Sequence, residues 1–198
     1  MAARTPAPGG LGLVQAFVHT VDIEEGREDL ATPQLMHDWL VGRGLAEPDV
    51  GVSPEQQQGA LALREALRGM LLANNGGAIY PLDLATLNQA AQRSALRLRF
   101  QSDGKSRLEP ETPGFEGAVG RILAAVFTSM AEGSWQRLKA CRAHSCRWAF
   151  YDRSRNRSST WCNMAVCGSR TKARVYRERR RGGGQPARVE PSATPSAQ

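Results

Sequence analysis

Four cysteines constrain this chain more than anything else in it. Cys141, Cys146, Cys162 and Cys167 are its only cysteines, and their spacing is C-x4-C-x15-C-x4-C. Two close pairs separated by a medium loop let each pair grip one side of a tetrahedral ion, with thiolates about 2.3 Å from zinc. The segment around them needs such a staple. From Trp135 to Arg181 the chain offers few large apolar residues, among them Trp148, Phe150, Tyr151, Trp161, Met164, Val166 and Val175. A stretch of fewer than about 50 residues seldom holds a core on such means alone. A structural zinc contributes about 10–16 kcal/mol of apparent folding free energy in finger peptides. One structural Zn2+ on all four cysteines is therefore expected. Two disulfides would suit an exported protein, but Met1-Ala-Ala-Arg-Thr-Pro6 shows no apolar signal segment. A redox switch of the thiols stays open as an addition to zinc. A catalytic zinc would need an open ligand position and a nearby general base, and the pattern offers neither. His144, between two cysteines, is read as a loop residue.

Charge divides the chain at the same place. Residues 1–134 hold 11 lysines and arginines against 16 acidic residues, a net of −5, whereas residues 135–198 hold 15 against 3, a net of +12. An acidic body followed by a basic module points to a polyanion as the partner of the basic part. Arg153, Arg155 and Arg157 alternate through a polar loop that cannot bury them. After Cys167 a helix is expected to about Arg181, with Arg170, Arg174, Arg177 and Arg181 on one face and Lys172 and Arg179 beside it. Ala173, Val175 and Tyr176 can face inward or toward the zinc core. A solvated helix usually mixes signs, and Glu178 is the one acid here. Arginine also suits bidentate contacts to phosphate and guanine.

The acidic body reads as mostly helical. Thr32-Pro33 and Ser53-Pro54 pair an N-cap residue with proline at the first helical position. The first of these helices presents Leu35, Met36, Trp39 and Leu40 and stops at Gly42 and Gly44; the second carries Leu61, Leu67 and Leu71 and stops at Asn74-Asn75-Gly76-Gly77. Asp83 is expected to cap a shorter helix. Leu96-Arg-Leu-Arg-Phe100 alternates as a strand does, and Ser102-Asp-Gly-Lys105 turns it back toward Arg107-Leu108. Phe115 to about Met130 forms the most apolar helix, with Val119, Ile122, Leu123, Val126 and Phe127 on a wide buried face. Leu11–Val18 is helix or strand; periodicity does not separate them. Asp22, Glu24, Glu25, Glu28 and Asp29 are read as acidic surface, and His19 and His37 as structural. The fold class is thus mainly α with a small β-hairpin: a flexible 1–10, a helical domain over 11–132, a treble-clef-like four-cysteine finger over 135–181, and a disordered tail over 182–198. No run approaches the ~20 apolar residues of a membrane span, and a cytoplasmic protein is expected.

From Leu138 to Arg180 the chain resembles the bacterial CGNR zinc-finger family, through Cys146-Arg-Trp-Ala-Phe-Tyr-Asp-Arg-Ser-Arg-Asn-Arg-Ser158, Trp161-Cys-Asn-Met-Ala-Val-Cys-Gly168 and Lys172-Ala-Arg174. The family's motif falls on Cys167-Gly168-Ser169-Arg170, with serine where asparagine is usual. Phe17-Val-His-Thr-Val-Asp22, Asp29-Leu-Ala-Thr-Pro33 and Trp39-Leu40 resemble the ABATE domain that precedes such fingers, with His19 where asparagine is usual. The resemblance implies a bacterial stress-related regulator of transcription, with double-stranded DNA as partner. On that reading Arg153, Arg155, Arg157, Arg170, Lys172, Arg174, Arg177 and Arg181 contact the nucleic acid. The helical domain would sense a small-molecule effector or form a homodimer. An RNA-binding accessory protein and a zinc-stapled protein-interaction module are the alternatives. No catalytic constellation is visible, so an enzyme is not expected.

Overall fold

In the computed structural model, which describes residues 5–182 with side chains through Arg180, proline starts three helices. These are α2 (Pro33–Val41), α3 (Pro54–Ala73) and α4 (Pro81–Ser94), each preceded by an extended residue. Proline loses nothing at that position, where a backbone N–H has no intrahelical partner. Thr32 accepts from the Leu35 N–H, and Ser53 and Gln56 cap one another's backbone reciprocally. Asp83 does not cap α4: Tyr80 holds that place without a side-chain bond, and Asp83 lies in the first turn. There its carboxylate fills the space that a side chain at Gly69 of α3 would need, and burial raises its pKa.

Leu11–Val18 is a helix, α1, whose Leu11, Val14, Phe17 and Val18 are buried. They pack with Leu63, Leu67 and Leu71 of α3 and with Ala118, Ile122 and Val126 of α5 (Gly114–Ala131). Leu35 and Phe127 were expected in the core and are exposed instead. Each lies on the edge of an apolar stripe broader than the surface that covers it. Within the stretch expected to be flexible, Ala7 is buried and donates its N–H to Gln15 Oε1 at 2.7 Å.

Among the described residues, three antiparallel strand pairs accompany the helices. The expected hairpin is β3 (Leu96–Phe100) with β4 (Ser106–Pro110), in register Leu98 to Leu108. The other two pairs escaped the periodicity argument because each strand has only two or three residues. They are β1 (Val21–Asp22) with β2 (Arg27–Glu28), and β5 (Leu138–Ala140) with β6 (Ala149–Tyr151). A last helix, α6 (Ser169–Gly182), follows a π-turn over Met164–Gly168. No helix among the described residues is long and apolar enough to cross a membrane. The expected disorder of the tail lies outside the described residues from 183 onward, and the side chain of Arg181 lies outside them too.

The finger's hairpin does not stand apart. Leu138, Ala140 and Ala149 belong to the same buried cluster as α1, α3 and α5. Asn74, at the end of α3, donates to the carbonyls of Trp135 and Leu138, and Asn75 donates to those of Ala140 and Thr160. Gln15 of α1 donates to the Ala149 carbonyl, and His19 Nε2 lies 2.8 Å from the same oxygen. Arg68, buried on α3, reaches Val18 O with one nitrogen and Arg147 O with another.

Candidate metal centre and nucleic-acid surface

The β5–β6 hairpin positions the first cysteine pair. Cys141 continues the ladder by donating its N–H to Trp148 O, and a turn closes when Cys146 and Arg147 both donate to Ala143 O. Arg147 takes a left-handed φ of 52° to complete it. Of the second pair, Cys162 precedes the π-turn and Cys167 lies within it: Asn163 caps the turn by accepting from the Val166 N–H, and Cys167 donates its N–H to Asn163 O. The turn after Cys141, the knuckle, makes up the expected treble-clef-like four-cysteine finger together with the β5–β6 hairpin and α6.

All four Sγ atoms lie within 4.8 Å of one another. Cys162 Sγ is 3.6 Å from both Cys146 Sγ and Cys167 Sγ. Disulfides need about 2.05 Å, so these are free thiols. A zinc tetrahedron with bonds of about 2.3 Å has edges of about 3.8 Å, and the donor set fits it. Cys141, Cys146 and Cys167 are buried. Hydrogen bonds from the Cys146 and Cys162 thiols pull Cys141 down to about 2. Hydrogen bonding to Cys141 and Cys146 pushes Cys162 far up, and burial pushes Cys167 up to about 12. Four thiolates so close together, three of them buried, need a dication to balance their charge. The cluster fits the ligand set of one structural zinc. His144 lies outside the set. Trp148 and Trp161 pack around the sulfurs, and His19 stacks on Trp148 at 3.9 Å, which joins α1 to the finger.

The motif residues after Cys167 have separate tasks. At Gly168 a Cβ would come within 2.5 Å of Met164 Sδ and 3.1 Å of the Trp161 ring, so a side chain there would have to displace the Met164 thioether and press on the indole. Ser169 donates from Oγ to Met164 O at 3.5 Å, and Arg170 pairs with Glu24 at 2.5 Å. Glu24 belongs to the acidic stretch read as plain surface. Asp22 organises that stretch by accepting from the N–H groups of Glu24 and Glu25, and Glu28 grips Arg64 with both oxygens at 2.7 Å.

The arginine loop is built on a buried ion pair that the sequence did not announce. Lys139 Nζ contacts Asp152 Oδ2 at 2.7 Å, with their side chains 5% and 0% exposed. The same ammonium donates to Arg157 O and Ser159 O. Asp152 accepts from the Ser154 N–H, the Ser154 hydroxyl and the Ser159 N–H. Burial alone would raise the Asp152 pKa, but Lys139 and these donors hold it well below the usual carboxylate range. Both charges are satisfied, so the loop is shaped from inside while Arg153, Arg155 and Arg157 stay exposed.

On α6 the inward face expected from Ala173 and Tyr176 does not exist: both are exposed, and Val175 is only half-buried. Arg174 pairs with Glu178 at 3.7 Å, and Arg177 donates from Nε to Ala173 O. Arg170, Arg174 and Arg177 line one groove of about 220 Å³ with Thr171 and the knuckle residues 143–145. Lys172 is exposed outside that groove, and Arg153, Arg155 and Arg157 do not line it. Arg153 donates to Pro6 O and Arg157 to Gln136 Oε1.

A model of the CGNR zinc finger matches residues 137–180. A second family model, ABATE, with the description "Putative stress-induced transcription regulator", matches residues 11–133. No curated protein matches the chain.

Proposed function

The chain belongs to the ABATE family and carries a CGNR zinc finger behind that domain, and from this premise we propose that it is a zinc-dependent transcription regulator that binds duplex DNA. The observation that carries the proposal is α6. It holds six basic side chains between Arg170 and Arg180 against one acid, and all six are exposed. Such a face has the size and charge of an element for the major groove. Arg170, Arg174 and Arg177 would meet phosphates or guanine edges, with Lys172 and the exposed Arg153, Arg155 and Arg157 adding phosphate contacts. If four to six phosphates are met, log K should fall with log salt at a slope of about −4 to −5.

One small finger reads few base pairs, so the proposal includes a second copy on a related half-site. For the effector, the helical domain offers a pocket of about 330 Å³ beside Glu47, Glu111 and Arg121, near the lower size of small-molecule sites. The proposal assigns the protein no catalytic step. Its test is selection of fragmented genomic DNA by zinc-loaded protein at physiological salt, beside a metal-stripped control. Enrichment of one motif that disappears with the metal supports the reading. Uniform recovery, or none, overturns it.

A further inference from the structure

His144 stands between two grooves, and only one of them belongs to α6. The second, of about 210 Å³, is walled on one side by the helical domain, at Gly77 and Tyr80, and on the other by Arg142, His144 and Arg147 of the knuckle. The two grooves share His144 as a common wall. Arg142 is exposed and Arg147 half-buried. Among the described residues no carboxylate pairs with either, whereas the buried Arg64 and Arg68 are matched by Glu28 and Glu65.

The knuckle's geometry also fixes the hydrogen-bonding role of the histidine. Arg147 places a guanidinium nitrogen 2.7 Å from His144 Nδ1. A guanidinium only donates, so in this contact Nδ1 is the acceptor. The exposed ring stands between two arginine-lined grooves. Arg147 is itself set from below, since its carbonyl accepts from Arg68 of α3. The wall of the second groove is thus built jointly by finger and helical domain.

We infer that this second groove is a phosphodiester-binding site, so that a DNA backbone met by α6 continues past His144 onto Arg142 and Arg147. The site rests on the duplex-binding reading above and extends it: the helical domain becomes one wall of the DNA track. Two guanidinium groups without a carboxylate partner on one groove wall are the chemistry that a phosphate monoanion requires.

The test compares zinc-loaded full-length protein with R142Q/R147Q and R174Q/R177Q variants, titrated against one random-sequence duplex over a range of salt. Zinc content and thermal unfolding of each variant are measured alongside. Each lost phosphate contact should make the slope of log K against log salt shallower by about 0.9. R142Q/R147Q is expected to lose about 1.8 while retaining zinc. The single R142Q variant, at an exposed position, should lose about 0.9 even if the double variant folds poorly. Slopes equal to wild type for both R142Q and a folded R142Q/R147Q would overturn the second groove while leaving α6 in place. A wild-type protein without duplex affinity would overturn the parent reading, and that result is separate and recognisable.

Discussion

At the scale of single residues, the loop from Asp152 to Ser159 shows how much rests on one internal charge pair. Its arginines are conspicuous in the sequence, yet Lys139 and Asp152 hold them in shape from below. Removing one member of a buried pair strands the other charge, at a cost of about 3–5 kcal/mol. Asp152→Ala should therefore lower unfolding free energy by about that amount at neutral pH, measured by urea denaturation of the zinc-loaded protein. The sign with pH follows from a depressed carboxyl pKa. The contribution is complete above the ordinary value near pH 4 and is lost as pH falls below it. Asp152→Ala removes it at every pH. The cysteines are the opposite case, being legible at once because a tetrahedral thiolate site leaves a spacing behind it. Asp152 leaves none, since one aspartate before Arg-Ser-Arg looks like any other polar loop residue.

At the scale of elements, α6 has no buried side of its own, and an isolated helix of its length is marginal in water. It begins where the π-turn and Cys167 end, so the zinc cluster serves as its fixed point. Chelation of the metal should reduce far-UV helical ellipticity and abolish duplex binding together; loss of binding at unchanged ellipticity would argue against that dependence. The β1–β2 turn acts at the same place. Glu24 covers Arg170 with a partly exposed carboxylate, in competition with any phosphate that approaches. Glu24→Gln should tighten duplex binding a few-fold at low salt, with the gain shrinking as salt screens the pair. A filter-binding series in salt measures this, and unchanged affinity at low salt would remove Glu24 from the interface. The long helices were legible because proline, serine and threonine mark their starts chemically. The β1–β2 and β5–β6 pairs were not, because two or three residues carry no period.

At the scale of the whole molecule, finger and helical domain share one core. Leu138, Ala140 and Ala149 lie among the side chains of α1, α3 and α5, and Asn75 satisfies two finger carbonyls at 2.8 Å each. Heating the zinc-loaded protein should give one transition, with zinc release and loss of helical signal coinciding. Two separated transitions would show that the halves fold independently. Asn75→Ala leaves two carbonyls unsatisfied and should destabilise that joint transition by about 2 kcal/mol or more.

By itself the sequence determined the zinc ligands, the charge division between the two halves and the places where the main helices begin. Each is set by chemistry among neighbours along the chain: thiol spacing, the sign of side chains, the fixed φ of proline. Only the tertiary structure decided that Asn74 and Asn75, which look like a simple helix stop, clamp the finger. It also decided that Glu24 meets Arg170 across 146 positions, and that Arg142 and Arg147 face a wall of the helical domain. Those relations join residues far apart in the chain, and burial and hydrogen bonding select them only once the whole core has closed.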